Sequence, residues 1–207
     1  MRQLILASRN AGKIQEFKRM LAEMASDIET LSLLDFPDLP DVEETGATLQ
    51  ENAELKAVQI TSATGKPCLA DDSGIFIDAL NGDPGVYSAR WSGVHGDDKA
   101  NNAKVLEQIR ALEANGHVDR AAQFRCVVAL SFPISHPRHG EVLFVTGEMP
   151  GEIIDTPRGE HGFGYDPIFV PQGFQQTSAE LSAEEKDRIS HRGQAMRKIL
   201  PLLTATL

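Results

Sequence analysis

The chain reads as an α/β protein, with helices covering a sheet. Three observations predict this. Short apolar runs alternate with amphipathic helical patterns in the order β–α–β–α–β through the first part of the chain. Two long strand-like segments, residues 124–132 and 141–154, then flank a polar turn and read as an antiparallel hairpin. The chain has 207 residues, 41% of them hydrophobic and 24% charged, which suffices for one sizeable core. No repeat, low-complexity tract or linker interrupts it, so residues 1–207 read as a single domain.

The elements follow in order. Leu4-Ile5-Leu6-Ala7-Ser8 is a short apolar strand that runs into Arg9-Asn10-Ala11-Gly12-Lys13. Ile14, Phe17, Leu21 and Met24 then recur at helical spacing, predicting an amphipathic helix over about 12–24. Such a strand–loop–helix unit binds anions through free N–H groups and the helix dipole, and Lys13 adds a full charge. It is not a Walker A loop, and an ordinary capped turn would look the same.

Ile28 to Leu33 predicts the second strand. Asp35 to Thr45 is acidic and irregular, with Pro37 and Pro40 excluding regular structure, and it ends in Glu43-Glu44. Surface solvation is the ordinary fate of such a run. It gains a role only if folded against further carboxylates. Thr48 to Thr64 predicts a helix with Leu49, Ala53, Ala57 and Ile60 on one face and Asn52 and Lys56 on one side.

Gly65-Lys66-Pro67 leads to Cys68-Leu69-Ala70, read as the end of a buried strand, followed by Asp71-Asp72-Ser73-Gly74 and the apolar Ile75-Phe76-Ile77. Adjacent aspartates repel unless a cation or donor separates them. A hard cation such as Mg²⁺, which takes carboxylate oxygens and keeps waters, is one answer; a plain Asp-Ser-Gly turn is the other. Asn81 to Gly85 is a turn-rich loop, and Tyr87, Arg90 and Trp91 follow it. Asp97 or Asp98 caps a helix carrying Ala103, Leu106, Ile109 and Leu112.

At the hairpin tip, His136 and His139 flank Pro137-Arg138 without cysteines nearby, which reads as a turn rather than a metal site. In Gly159 to Pro167, glycines interleave with Phe163 and Tyr165, so backbone and ring could approach a purine closely. Ser182-Ala183-Glu184-Glu185 is a capping box ahead of Lys186. The last helix, after His191-Arg192-Gly193, buries Ala195, Met196, Ile199 and Leu200 until Pro201 ends or kinks it.

Charge and composition exclude some classes. A net charge of −10 argues against a broad nucleic-acid footprint. Any phosphate site must therefore gather its cations locally. No apolar stretch approaches a bilayer span, and the apolar run after Met1-Arg2-Gln3 is too short for a signal peptide. Cys68 and Cys126 sit in apolar strand-like runs, as buried thiols of a reducing, cytoplasmic protein would.

Five separated segments together resemble the inosine triphosphate pyrophosphatase family. They are Ser8-Arg9-Asn10-Ala11-Gly12-Lys13, Glu51-Asn52-Ala53-Glu54-Leu55-Lys56-Ala57, Leu69-Ala70-Asp71-Asp72-Ser73-Gly74, Gly162-Phe163-Gly164-Tyr165-Asp166-Pro167-Ile168-Phe169 and Ser190-His191-Arg192-Gly193. The family's first motif often has Thr-Gly-Asn where this chain has Ser8-Arg9-Asn10. The resemblance implies an elongated mixed β-sheet flanked by helices in two lobes with a central cleft, and a homodimer. It implies Mg²⁺-dependent hydrolysis of ITP, dITP and XTP between the α and β phosphates. It also implies nucleotide contacts from Ser8 to Lys13 and from Lys56, Ser73, Phe163, Gly164, Tyr165, Asp166, Lys186, His191 and Arg192. Asp72 matches the family's catalytic carboxylate and metal ligand, and Glu43 or Glu44 stands where it supplies another.

The chemistry is consistent with that resemblance. Mg²⁺ and lysines must offset the charge of a triphosphate as water attacks, and Asp72 is placed to take the water's proton. Donors such as Arg192 facing position 6 of the purine would favour hypoxanthine and xanthine over adenine. Two rivals remain: Maf-like pyrophosphatases acting on other nucleotides, and a nucleotide-binding module without catalysis.

Overall fold

The computed structural model describes residues 2–25, 27–116 and 118–207. Met1 and the Met24 side chain, both used in the sequence reading, lie outside that description. The strands are β1 (Arg2–Leu6), β2 (Ile28–Ser32), β3 (Cys68–Ile77), β4 (Ala121–Ser131), β5 (Val142–Ile153) and β6 (Phe169–Pro171). The helices are α1 (Ala11–Met24), α2 (Leu49–Thr64), α3 (Asp98–Glu113), α4 (Ala183–Ile189) and α5 (His191–Thr206). The strands form one six-stranded sheet in the order β2-β1-β3-β4-β5-β6. It is mixed: β1 runs parallel to β2 and β3, while β5 and β6 are antiparallel. The expected α/β class and mixed sheet are therefore present.

The chain forms two compact units. The first comprises Met1–Asp72, Cys126–Gly147 and Arg192–Leu207; the second comprises Ser73–Arg125 and Glu148–His191. In the first unit both faces of the strands are covered. Leu4, Leu6 and Leu69 point to one face, where Phe17, Met20 and Leu21 of α1 and Met196, Ile199 and Leu203 of α5 pack. Ile5, Ala7, Cys68 and Ala70 point to the other, against Ala53, Ala57 and Ile60 of α2. Burial on both faces explains why these strands read as continuous apolar runs rather than alternating ones. In the second unit Ile75 and Ile77 pack with Val105, Leu106 and Ile109 of α3 and with Phe124, Met149 and Phe169.

The caps follow the sequence signals. Asn10, Thr48, Asp97 and Ser182 each accept a backbone N–H of the first turn, which fixes where α1, α2, α3 and α4 begin. Between Asp97 and Asp98, Asp97 is the cap.

Three local expectations are corrected. Residues 71–74 are not a turn between two strands; β3 runs unbroken through them. Residues 85–90 form a 3-10 helix rather than a loop. Pro201 does not end the last helix, which continues to Thr206. The lost Pro201 N–H costs roughly 3 kcal/mol in an isolated helix. Burial of Met196, Ile199 and Leu203 on the packed face offsets it, and Leu200 is only partly buried.

Candidate active site

The first unit carries a buried charge cluster built on β3. Successive side chains of a strand point to opposite faces, so Asp71 and Asp72 take different hydrogen-bond partners. Lys13 and Lys56 nevertheless each act electrostatically on both carboxylates.

Asp71 faces the α1 and α5 side. Lys13 Nζ lies 3.0 Å from its Oδ2, and Arg192 donates to the same oxygen from Nη2 at 3.3 Å and Nε at 3.4 Å. Arg192 Nη1 also donates to Glu16, one helical turn beyond Lys13 on α1. Arg192 is only 2% exposed. Burial alone would pull its guanidinium pKa down, but Glu16 and Asp71 outweigh that and hold it up. Its Nε, Nη1 and Nη2 are thus engaged by carboxylates of its own unit.

Asp72 faces α2. Lys56 Nζ donates to its Oδ1 at 3.2 Å and Asn52 Nδ2 to its Oδ2 at 3.1 Å. Lys56 Nζ also reaches Glu44 Oε1 at 2.7 Å, while Asn52 Oδ1 accepts the Gly46 N–H at 2.8 Å. The i, i+4 spacing on α2 puts both side chains on the face that meets β3. Lys56 is buried rather than the exposed lysine that its position alone would suggest. Burial raises the Asp72 pKa above the ordinary carboxylate value, opposed by Lys56 and Lys13 and reinforced by Glu44. Lys56 stays an ammonium: its desolvation is outweighed by Asp72, Glu44 and Asp71. Glu44 is the member of the Glu43–Glu44 pair that turns to this cluster; Glu43 is exposed.

The Ser8–Lys13 loop is arranged by its own side chains. Ser8 Oγ accepts the Asn10 N–H at 3.2 Å, and Asn10 Oδ1 accepts the Lys13 N–H at 3.0 Å. Ala11 is exposed and Gly12 half-buried at the start of α1. Arg9 turns to the acidic segment after β2, where its Nη1 donates to Leu33 O at 2.8 Å.

The donor set suits a hard divalent cation. Glu44 and Asp72 offer carboxylate oxygens around one shared ammonium, and burial leaves Asp72 short of positive charge. Among the described residues no group of three His, Cys, Asp or Glu side chains could hold a metal ion. Mg²⁺ bound by one or two carboxylates and completed by waters and phosphates matches this arrangement better than a protein-only cage.

The second unit carries the aromatic loop. Asp166 accepts the Phe163 N–H at 2.9 Å and Lys186 Nζ at 2.5 Å, and Lys186 Nζ stands 5.0 Å from the Phe163 ring centroid. Gly162 has φ +75°, and a Cβ there would collide with the Asp166 carboxylate, so the turn needs glycine. The Gly164 backbone is held at both ends by α3: Asp98 Oδ2 accepts its N–H at 2.6 Å and Asn102 Nδ2 donates to its carbonyl at 3.1 Å. The Tyr165 side chain packs in the core: it is 3% exposed, donates to Ser88 O at 2.8 Å, and burial pushes its phenol pKa up. Phe163 is half-buried.

His191 is buried and stacked on Phe124, with centroids 4.9 Å apart and planes 7° from parallel. Ser73 opens the second unit half-buried. Beside it, Gly74 packs against the Gly85 carbonyl so closely that no side chain fits. His136 at the hairpin tip stacks on Phe132 and bonds the Thr206 carbonyl, a packing role in keeping with a turn.

Sequence reasoning missed Glu16, Asp98 and Asn102. Glu16 was detectable as the i+3 neighbour of Lys13, and Asp98–Asn102 as a polar i, i+4 pair at a helix start, but both spacings are common on exposed helices.

Known proteins share this arrangement at the level of sequence and fold. The chain is 47% identical over 207 residues, covering all of both chains, to a Streptomyces avermitilis protein named dITP/XTP pyrophosphatase. It is 44% identical over 205 residues to one of that name from Bacillus subtilis, covering 99% of this chain and 98% of the relative. A solved structure of a HAM1 protein from Coxiella burnetii superposes with a TM-score of 0.84 at 44% identity, covering 99% of this chain and all of that one. The Ham1 family model matches residues 4–202, a span that takes in every motif from the Ser8–Lys13 loop to Arg192. With the Asp72–Lys56 and Phe163–Asp166 clusters lying inside that span, the chain belongs to the Ham1 family.

Proposed function

We propose that this chain hydrolyses the deaminated purine nucleoside triphosphates ITP, dITP and XTP to the nucleoside monophosphate and pyrophosphate, keeping them out of DNA and RNA. The observation that carries the reading is the buried Glu44–Lys56–Asp72 set, in a chain 47% identical to a dITP/XTP pyrophosphatase.

In this reading the first unit takes the triphosphate. Glu44 and Asp72 would hold Mg²⁺, which would offset phosphate charge when bound. Lys13 and Lys56 contribute fixed positive charge, and N–H groups at the start of α1 bind phosphate oxygens. Asp72 accepts a proton from the attacking water. The water oxygen bonds to the α phosphorus, and the α–β bridging oxygen leaves with its electron pair on pyrophosphate. The family resemblance supports nucleotide contacts from Phe163, Lys186, Asp166, Ser73 and His191, with stacking on a base as the role of the Phe163 ring. Arg192 serves the Asp71–Glu16 pair first; donation to the purine edge is a further role.

β3, β4 and β5 each contribute residues to both units, which supports a single catalytic domain. A homodimer is supported by the family resemblance, and a cytoplasmic location by the buried, unbonded Cys68 and Cys126. Among the described residues no helix is long and apolar enough to cross a membrane.

The test is a panel of nucleoside triphosphates with pyrophosphate detection in Mg²⁺. ITP, dITP and XTP should be preferred over ATP. A preference for UTP or dTTP, or tight ITP binding without turnover, would overturn the proposal.

A further inference from the structure

The segment that carries Glu44 has little structure of its own. After the 3-10 helix at Leu33–Asp35 it holds neither helix nor strand until α2, and Pro37 and Pro40 remove two backbone donors. Its internal backbone bonds are few and long: Phe36 N to Leu33 O, Leu39 N to Phe36 O and Thr45 N to Glu43 O, each 3.2 Å. Something else must hold it.

Arg9 does so from the β1–α1 loop. Its Nη1 donates to Leu33 O at 2.8 Å, its Nη2 to Leu39 O at 2.5 Å and Phe36 O at 3.4 Å, and its Nε to Asp41 Oδ1 at 2.8 Å. One planar fork thus gathers three backbone carbonyls and a carboxylate. The carbonyl bonds are part-buried, whereas the Asp41 side chain is 81% exposed, so that ion pair counts for little beside them. Leu33, Phe36, Leu39 and Val42 add apolar anchoring on the same segment. At its far end Asn52 takes the Gly46 N–H and Lys56 takes Glu44.

The geometry points to Arg9 as a positioning residue that fixes the 33–41 segment and so delivers the Glu44 carboxylate to Asp72 and Lys56. Its guanidinium is spent on the loop, not on phosphates. This rests on the proposed triphosphate and metal role of the first unit, and the experiment separates the two. Amide hydrogen exchange and Mn²⁺ titration by electron paramagnetic resonance, both on nucleotide-free protein, require no turnover. Arg9→Ala should speed exchange across residues 33–46 and weaken Mn²⁺ binding about tenfold, the scale seen when a ligand's supporting partner is removed. In turnover it should raise the Mg²⁺ needed for half-maximal ITP hydrolysis while leaving kcat at saturating Mg²⁺ little changed.

Arg9→Lys keeps the charge but not the fork, so it should recover only a small part of the loss and serves if Arg9→Ala does not fold. Asp41→Ala should behave nearly as the unaltered chain. Unchanged exchange and Mn²⁺ binding with a raised KM for ITP would place Arg9 on the phosphates and overturn the inference. Full recovery by Arg9→Lys, or an unaltered chain that binds no Mn²⁺, would overturn it too. A chain that binds Mn²⁺ normally yet hydrolyses none of the purine triphosphates would instead refute the proposed function.

Discussion

Replacing Lys56 by Met keeps the side-chain stem and removes a cation shared by Glu44 and Asp72. At 2.7 and 3.2 Å, with an effective dielectric of 20, the gross attractions lost are about 5 to 6 kcal/mol each. The desolvation cost of Lys56 disappears as well, so the net destabilisation at neutral pH should be about 3–5 kcal/mol, the usual cost of orphaning buried charge. For a chain of this size that is a fall in Tm of roughly 6–20 °C. The pH dependence tests the cause. Asp72 already has a folded-state pKa above its ordinary value, and loss of Lys56 raises it further. A group with a raised folded pKa favours folding at low pH and loses that contribution as pH rises through the folded value. The deficit of Lys56→Met should therefore shrink as pH falls from 7.5 towards 5, and added Mg²⁺ should restore more Tm to the variant than to the unaltered chain. Thermal unfolding across that range, with and without Mg²⁺, measures both. A deficit below about 1 kcal/mol, or one equal at both ends of the range, would refute the account of a charge-compensated buried pair.

Four further outcomes follow from the same geometry. Asp72→Asn should lower kcat by about 10²–10⁴ with the fold intact by circular dichroism, and near-normal hydrolysis would remove Asp72 from the catalytic role. The acid limb of kcat/KM should move to higher pH in Lys56→Met, because that ammonium favours the ionised Asp72 carboxylate; a shift to lower pH would contradict the assignment. Lys13→Ala should cut kcat/KM for ITP, whereas Lys66→Ala, whose ammonium bonds Gln3 Oε1 at 2.5 Å, should leave it near normal; equal effects would count against the phosphate site. Phe163→Ala should reduce kcat/KM for ITP and ATP by similar factors, worth about 1–3 kcal/mol of stacking, and a changed ITP-to-ATP ratio would mean that the ring reads base identity.

Local chemistry made much of this protein legible from its sequence. Apolar period located the cores of the helices, and Ser182 before α4 and Asp97 before α3 stood out as caps that act on their own first turn. The doubly buried strands were visible as unbroken apolar runs; Lys13 stood out near a helix start, Lys56 on a helix face and Asp72 as one of two adjacent carboxylates between apolar runs. The motifs, taken together, also pointed to the right family.

The partners of those residues were decided only in three dimensions. Asp71 and Asp72 looked like one site because they are adjacent, yet the pleat of an unbroken β3 sends them to opposite faces. Glu44 rather than Glu43 meets Lys56 because Arg9 and Asn52 pin the irregular segment at both ends. Tyr165 became core and Phe163 did not because α3 grips the Gly164 backbone between them. Arg192 reaches Asp71 across 121 positions and Glu16 across 176. Periodicity and capping act over a few residues, so they specify elements. A buried charge takes whichever opposite charge the packed helices bring to it, and that choice exists only once the sheet has assembled.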